Sequence, residues 1–178
     1  MGVFIFSDLM KPFKLLRTTL GYLLIFIILY TAVNAWRAPD VPSSDHLHLN
    51  ATFIEQDQAV DVMTQSFDTP VLVYFWGTWC GICSLTSPSI QALKDEGYAV
   101  ISVAISSGSD QTIKQYMHAK GYDFATMNDD DGKIFKRWQG QVTPSFVIIS
   151  QGKPVQRFTG IAPLWSLKLR MLWARVQQ

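Results

Sequence analysis

The two cysteines of the chain, Cys80 and Cys83, are the residues whose type and spacing are best suited to chemistry. The spacing Cys-Gly-Ile-Cys lets the pair alternate between two thiols and one disulfide, with a transfer of two electrons. A disulfide that closes so short a loop restricts the unfolded chain little, which argues against a purely structural bond. Two thiolates also suit Cu(I), whereas a closed zinc site needs four ligands and the chain adds only three histidines. The pair therefore predicts thiol–disulfide exchange, with Cu(I) binding as an alternative.

The residues on either side of the pair predict a buried strand followed by a helix. Val71–Trp76 is continuously apolar, β-branched and aromatic, which is typical of a strand that is buried on both faces. The Gly-Thr-Trp tripeptide ends this strand, and a helix is predicted over residues 80–96. A thiolate in the first turn of a helix is stabilised by the helix dipole and by free backbone N–H groups. We therefore expect Cys80 to be an exposed nucleophile and Cys83 to be a buried resolving thiol.

Strands and helices alternate through the rest of the chain, which predicts an α/β fold with parallel pairing and an antiparallel hairpin at one edge. Strands are predicted at 52–55, 71–76, 98–105, 124–127, 145–149 and 155–159, and helices at 57–66, 80–96, 110–120, 133–138 and from 163 onward. Asp110 is the expected cap of the third of these helices. The last helix is predicted to cover the core with Trp165, Leu169, Leu172 and Val176, which are spaced for one face.

The segment Phe75–Cys83, with Pro88 in the helix that follows, resembles the active site of the thioredoxin superfamily. Val142-Thr143-Pro144 resembles the cis-proline loop of the same family, and the resemblance covers about residues 52–178. It implies a thioredoxin-like fold, in which a central mixed β-sheet is flanked by helices, and a reaction that needs no cofactor beyond the Cys80–Cys83 disulfide. It also implies that the proline loop binds the extended backbone of a protein disulfide substrate. The predicted substrate-binding residues are Trp79, Gly81, Ile82, Thr143 and Pro144.

Two positions depart from the family pattern. Many thioredoxins have a buried aspartate six positions before the first cysteine, where this chain has Tyr74, and a cation often follows the second cysteine, where this chain has Ser84. Water, Tyr74 itself or an acid placed by the fold are the candidates to replace the missing aspartate. The long connection between Cys83 and Pro144 and the apolar N-terminus resemble the membrane-tethered TlpA/ResA-like branch, most of all the suppressor-of-copper-sensitivity D proteins. This resemblance implies a DsbD-type membrane electron donor and a link to copper tolerance.

Residues 18–36 contain no charged side chain, and a helix of this length spans roughly 28 Å, close to the thickness of a bilayer core. Three basic residues precede the segment, so the positive-inside rule places the N-terminus in the cytoplasm. We therefore predict a cytoplasmic tail (1–17), an inner-membrane anchor (18–36), a linker (37–50) and a periplasmic domain (51–178). A cleaved signal peptide is the alternative, because Val33-Asn34-Ala35 resembles a cleavage site.

Composition and the remaining polar motifs exclude other function classes. The net charge of +1 provides no basic surface for nucleic acid, and 48% apolar residues exclude a disordered chain. His46 and His48, with Asp45, could place two imidazoles on one face of a strand, but the pattern lacks the further ligands of a metal site. An EF-hand that uses Gly132 would place a methionine and a tryptophan at coordinating positions, so Asp129–Asp131 is interpreted as an acidic turn that caps the next helix. No metal site is predicted.

These observations predict a membrane-anchored periplasmic oxidoreductase that reduces protein disulfides. Gly-Ile between the cysteines does not fix the direction of electron flow, since the potential depends on how strongly the fold stabilises the Cys80 thiolate. A periplasmic disulfide oxidase and a tethered Cu(I)-binding module remain the alternatives.

Overall fold

The structure, a computed structural model, describes residues 6–39, 51–52, 59–60 and 62–177. The chain divides into two units, Met1–Trp36 and Arg37–Gln178. In the first unit, helix α1 (Phe6–Arg37) contains a stretch of 21 residues, Arg17–Arg37, that is long and apolar enough to cross a membrane. A signal sequence near an N-terminus meets the same criterion, so both interpretations of this segment stay open.

The second unit is built on a mixed sheet of five strands in the order β5-β4-β3-β6-β7. The strands are β3 (Val71–Trp76), β4 (Ala99–Ile105), β5 (Ala125–Asp129), β6 (Ser145–Ser150) and β7 (Lys153–Thr159). β3, β4 and β5 pair in parallel, whereas β6 pairs antiparallel with both β3 and β7. The predicted mixed α/β architecture, with an antiparallel hairpin at one edge, is therefore confirmed.

Helices cover both faces of this sheet. α3 (Gly81–Asp95), α4 (Asp110–Lys120) and α6 (Leu164–Val176) pack on one face, and α2 (Val62–Asp68) and α5 (Lys133–Arg137) pack on the other. The central strand β3 is buried along its whole length because its alternate side chains enter the two cores. Two short strands, β1 (Ala51–Thr52) and β2 (Ala59–Val60), form a separate antiparallel pair.

Two boundary predictions are wrong. The helix expected at 57–66 starts only at Val62, and Ala59–Val60 is a strand instead. The side chain of Ser109, not that of Asp110, caps α4 by accepting a hydrogen bond from the N–H of Thr112 at 3.3 Å. Asp110 lies in the first turn, where a carboxylate still interacts favourably with the helix dipole. The expected strand 52–55 extends beyond the described residues.

The predicted buried face of α6 is also wrong. Leu167, Met171 and Ala174 face the core, whereas the predicted stripe is exposed. The exposed side chains are those of Trp165, Leu169, Leu172 and Val176. The helix has apolar residues on two opposite sides, and the stripe of larger side chains points outward. Spacing alone does not show which of two apolar stripes packs on the sheet.

Candidate active site

The cysteine pair lies where the central strand passes into helix α3. Cys80 is the N-cap residue of α3, and it forms a disulfide with Cys83 whose S–S distance is 2.06 Å. The N–H of Cys80 donates to the carbonyl oxygen of Gly77 at 3.1 Å, which closes the turn between strand and helix. The indole of Trp79 lies across Gly77, where an added Cβ would be 2.6 Å from its Nε1 atom. A side chain at this position would have to displace the indole, whose N–H donates to the carbonyl oxygen of Ile105 at 3.0 Å.

The start of α3 favours negative charge on the sulfur of Cys80. The backbone N–H of Cys83 donates to Cys80 Sγ at 3.1 Å, so the sulfur occupies the position where a helix N-terminus binds anions. Cys80 is 7% exposed and Cys83 is 1% exposed. The order of exposure agrees with the prediction, but Cys80 is far more covered than an exposed nucleophile was expected to be.

Two hydroxyl groups lie beneath Cys83, and no carboxylate was found there among the described residues. Tyr74 Oη and Ser87 Oγ share a hydrogen bond of 3.0 Å, and Ser87 Oγ donates to the carbonyl oxygen of Cys83 at 2.9 Å. Tyr74 Oη also approaches that oxygen at 3.4 Å. Burial raises the pKa of Tyr74, so this phenol stays protonated in the folded protein. A neutral hydroxyl pair thus occupies the place where the family pattern has an acid.

The loop of Thr143 and Pro144 lies at the same end of the sheet as the cysteines. Ser145, the first residue of β6, pairs with Phe75 near the end of β3, and the Thr143–Pro144 peptide bond is cis, as the resemblance implies. The N–H of Gly160 donates to the carbonyl oxygen of Pro144 at 3.0 Å, which ties the end of β7 to this loop.

Exposed apolar side chains surround this end of the sheet. Trp79 is 60% exposed and Ile82 is 50% exposed, and both were predicted to bind substrate. Two further residues, Leu85 and Ile161, are equally open to solvent, and the sequence reasoning missed them. Leu85 follows Ile82 by about one helical turn, and Ile161 follows Gly160. The helical spacing from Ile82 was the available signal for Leu85.

The acidic turn is confirmed as a helix cap. The carboxylate of Asp129 accepts hydrogen bonds from the N–H groups of Ile134 and Phe135 at 2.9 and 2.8 Å. Asp131 accepts from the N–H of Lys133 at 3.1 Å. No group of three potential metal ligands occurs in the part of the chain that the structure describes, and His46 and His48 lie outside it.

Comparisons with known proteins find relatives over most of the chain. Residues 46–158 match the AhpC/TSA family. The chain is 40% identical to a "Thioredoxin-like protein" of Haemophilus influenzae over 167 residues, which cover 93% of this chain and 98% of the relative. It is 30% identical to the "Thiol-disulfide oxidoreductase ResA" of Bacillus thuringiensis over 95 residues, 51% of this chain and 54% of that protein.

A solved structure shows the same fold. It is that of a secreted Mycobacterium tuberculosis disulfide oxidoreductase, with a TM-score of 0.59 and 22% identity. The match covers 72% of this chain and 98% of the other. The thioredoxin-like fold expected from the sequence is therefore confirmed.

Proposed function

The chain belongs to the AhpC/TSA family and is a thioredoxin-like thiol–disulfide oxidoreductase, and from this premise we propose that it reduces protein disulfides through Cys80 and Cys83. The observation that carries the assignment of roles is the hydrogen bond from the Cys83 N–H to Cys80 Sγ. It stabilises a thiolate at Cys80, whereas Cys83 is almost fully buried. Cys80 is therefore the attacking nucleophile, and Cys83 is the resolving thiol.

The reaction begins from the reduced pair. The Cys80 thiolate attacks one sulfur of the partner disulfide, the partner S–S bond breaks, and the second partner sulfur leaves as a thiolate that takes up a proton. The product is a mixed disulfide between Cys80 and the partner. The helix N–H groups that stabilise the thiolate also make Cys80 a good leaving group in the reverse direction.

The second step releases the partner. Cys83 loses its proton and attacks Cys80 Sγ, the mixed disulfide breaks, and the partner sulfur that was bonded to Cys80 leaves as a thiolate. The partner gains two electrons and the protein ends as the Cys80–Cys83 disulfide. Tyr74 and Ser87 contribute by holding the Cys83 carbonyl oxygen, and so act as positioning residues. Since neither hydroxyl is a carboxylate that could accept the proton of Cys83, this proton leaves to solvent or to the departing partner sulfur.

The partner is a protein with an accessible disulfide in an extended segment. Thr143 and Pro144 hold the backbone of this segment, while Trp79 and Ile82 pack against its side chains. Gly81 leaves room beside the nucleophile, because an added Cβ there would meet nothing within 4 Å. Leu85 and Ile161 extend the same apolar surface.

The cellular setting is part of the proposal. The 21-residue apolar stretch of α1 anchors the chain in the bacterial inner membrane, with residues 1–17 in the cytoplasm, 18–36 in the membrane, 37–50 as a linker and 51–178 in the periplasm. A DsbD-type membrane protein returns electrons to the disulfide, and the reaction serves copper tolerance. Support comes from the positive charge before the span and from a relative of the same fold that is described as secreted.

Cysteine substitutions test the assigned roles. Cys83→Ser should accumulate mixed disulfides between Cys80 and its partners, because attack succeeds but resolution does not. Cys80→Ser should abolish both exchange and trapping. The measurement is non-reducing electrophoresis of the full chain after acid quenching. Trapping by Cys80→Ser, or exchange that survives in it, would overturn the assignment.

The redox state of Cys80 and Cys83 in intact cells tests the direction of electron flow. Acid quenching followed by alkylation with a heavy thiol reagent should show mostly reduced cysteines, since a reductase in an oxidising compartment needs an electron supply. Mostly oxidised cysteines that do not change when the donor is deleted would favour an oxidase. Stoichiometric Cu(I) binding by the reduced chain without any exchange would favour the copper-binding module.

A further inference from the structure

Helix α6 has an apolar outer face, which we term the outer stripe. Its five members are Trp165, Leu169, Leu172, Trp173 and Val176, and their exposed fractions run from 46% to 82%. They fall within about 100° of the helix circumference at 3.6 residues per turn. The opposite side of α6 already packs on the core, and a surface helix ordinarily has a polar outer face. An exposed apolar patch of this kind marks an interaction site.

Helix α4 shows that this feature is not general to the fold. α4 packs on the same face of the sheet as α6, through Ile113 and Met117. Its exposed residues are Asp110, Gln111, Thr112, Gln115, His118, Ala119 and Lys120, all of which are polar except the small alanine. An apolar outer stripe is therefore not a feature that α4 shares with α6.

The charged side chains that α6 itself carries are all positive. α6 contains Lys168, Arg170 and Arg175 and no acidic residue. The ammonium group of Lys168 pairs with Glu96 at 2.7 Å. The guanidinium groups of the two arginines lie over aromatic rings: Arg170 is 4.1 Å from the Phe158 centroid, and Arg175 is 5.3 Å from the Tyr98 centroid.

Helical geometry places these cations on both flanks of the stripe. Lys168 and Arg175 project about 60–80° to one side of Trp165, and Arg170 lies beyond the other edge of the stripe. The apolar rim of the active site differs, since the helix that carries Ile82 and Leu85 has no charged residue before Lys94. An apolar stripe between cations suits an anionic surface.

We infer that the outer stripe of α6 docks on the anionic surface of the membrane in which the chain is anchored. Trp165 and Trp173 stand toward the two ends of the stripe, and tryptophan favours the boundary between headgroups and acyl chains. Flanking basic residues add attraction to anionic headgroups. The inference rests on the membrane anchor of the proposed function, because a tether keeps the domain at a high effective concentration near the bilayer.

Lipid photo-crosslinking tests the docking directly. The full chain is reconstituted into vesicles of phosphatidylcholine and phosphatidylglycerol that contain a photoactivatable phosphatidylglycerol, and labelled peptides are identified by mass spectrometry. The peptide of residues 164–176 should carry lipid, whereas residues 110–120 of α4 should not. Leu169→Gln with Trp173→Gln should lower the labelling of α6 by at least about tenfold, and Arg175→Gln by about fivefold. Ile82→Gln with Leu85→Gln, which alters exposed apolar residues elsewhere, should leave it unchanged.

Three outcomes would overturn the docking. They are equal labelling of α4 and α6, α6 labelling that is equally strong from a photoactivatable phosphatidylcholine in vesicles of phosphatidylcholine alone, and crosslinks between α6 of two copies in place of lipid. Because the substituted residues are exposed, thermal unfolding of the variants should match the parent and so exclude a folding defect. Alkaline extraction and insulin disulfide reduction on the same vesicles report on the anchor and on the activity. An extractable or inactive parent would contradict the proposed function, while α6 labelling decides the docking separately.

Discussion

The two faces of the central sheet use the same strands for different purposes. On the face covered by α3, α4 and α6, polar atoms are inserted among the apolar ones, and they include Tyr74, Ser87 and Ser102. On the face covered by α2 and α5, β3 contributes only aliphatic and aromatic packing, with Phe75 against Phe135 and Trp138. Successive residues of β3 thus contribute to two different cores, one that contains polar contacts and one in which β3 makes only apolar contacts.

The difference shows how the active-site helix is held in place. Apolar packing is not directional, whereas a buried hydrogen bond fixes the distance and angle between two groups. The face beneath the cysteines has such bonds to the first turns of α3, because the Tyr74–Ser87 pair contacts the Cys83 carbonyl oxygen. The opposite face supplies stability without orienting the cysteines.

The largest expected effect is on the apolar face. Phe75→Ala removes a fully buried ring that packs against two other aromatic side chains, and it should lower the free energy of unfolding by about 3–5 kcal/mol. The rate of disulfide exchange per folded molecule should stay unchanged. Chemical denaturation and single-turnover exchange measure the two quantities. A loss under about 1 kcal/mol, or a slower exchange in folded protein, would contradict the division between the faces.

Ser102→Ala tests a polar contact on the other face. The indole N–H of Trp76 donates to Ser102 Oγ at 3.0 Å, and this hydroxyl also bonds Thr126 Oγ1 at 2.8 Å. Removing the serine hydroxyl leaves a buried donor without its partner, which should cost about 1–3 kcal/mol of unfolding free energy. Trp76→Phe alone and the double variant complete a cycle. Because the double variant removes both partners, its loss should be less than the sum of the single losses, and strict additivity would show that the bond contributes nothing.

The elements that carry the cysteines were predictable because their signals are local. The continuous apolar run of β3, the Cys-Gly-Ile-Cys spacing and Pro144 before β6 are each visible within a few residues. The parallel pairing of β3, β4 and β5 followed from the alternation of strands and helices, since parallel strands need crossover connections. The confirmed cap at Asp129 likewise rests on a short acidic turn.

The parts that were missed depend on how the helices pack. Ser87 meets Tyr74 only because α3 lies across β3, and nothing in either residue's immediate sequence indicates that contact. α6 was misassigned because its two apolar stripes are equally periodic, and only the surface it packs on separates Leu167 from Leu169. The low exposure of Cys80 results from its packing in the core cluster of the face covered by α3, α4 and α6, so it also was not visible in the pattern.

Tyr74→Phe should have a smaller effect than Ser102→Ala at neutral pH and a distinct effect at high pH. It removes a hydrogen bond but leaves the Ser87 hydroxyl on the Cys83 carbonyl oxygen, for a loss of about 1 kcal/mol. The pKa of Tyr74 is raised in the folded state by burial. The unfolded chain therefore releases this proton first, and stability falls as the pH rises above about 10, the ordinary tyrosine value.

Urea unfolding across the alkaline range measures this difference. Below pH 10 the unfolding free energies of the parent and of Tyr74→Phe should differ by a constant amount. Above pH 10 this difference should shrink, because the parent loses up to about 1.4 kcal/mol per pH unit. Phe75→Leu, a change on the apolar face without a titrating group, should keep the slope of the parent. Parallel curves for parent and Tyr74→Phe would contradict a buried, neutral phenol.

The smallest effect is expected from an ion pair that belongs to neither face. Lys94 Nζ contacts Asp123 Oδ2 at 2.7 Å, and their side chains are 36% and 63% exposed. The hydrogen bond from Lys94 holds the pKa of Asp123 below its ordinary value. Because the folded pKa is lowered, the stabilisation is present at neutral pH and is lost as the pH falls through the folded pKa. Solvent screening limits the loss in Asp123→Asn to under about 1 kcal/mol.

Denaturation of parent and Asp123→Asn, at neutral and at acid pH and with added salt, checks this expectation. The difference should shrink in salt and vanish in acid, where the parent carboxyl is protonated. Lys94→Gln serves as the matched control, since it removes the same pair from the other side. If this exposed pair contributed as much to the unfolding free energy as the buried contact of Ser102, hydrogen bonding would no longer distinguish the face covered by α3, α4 and α6 from the rest of the molecule.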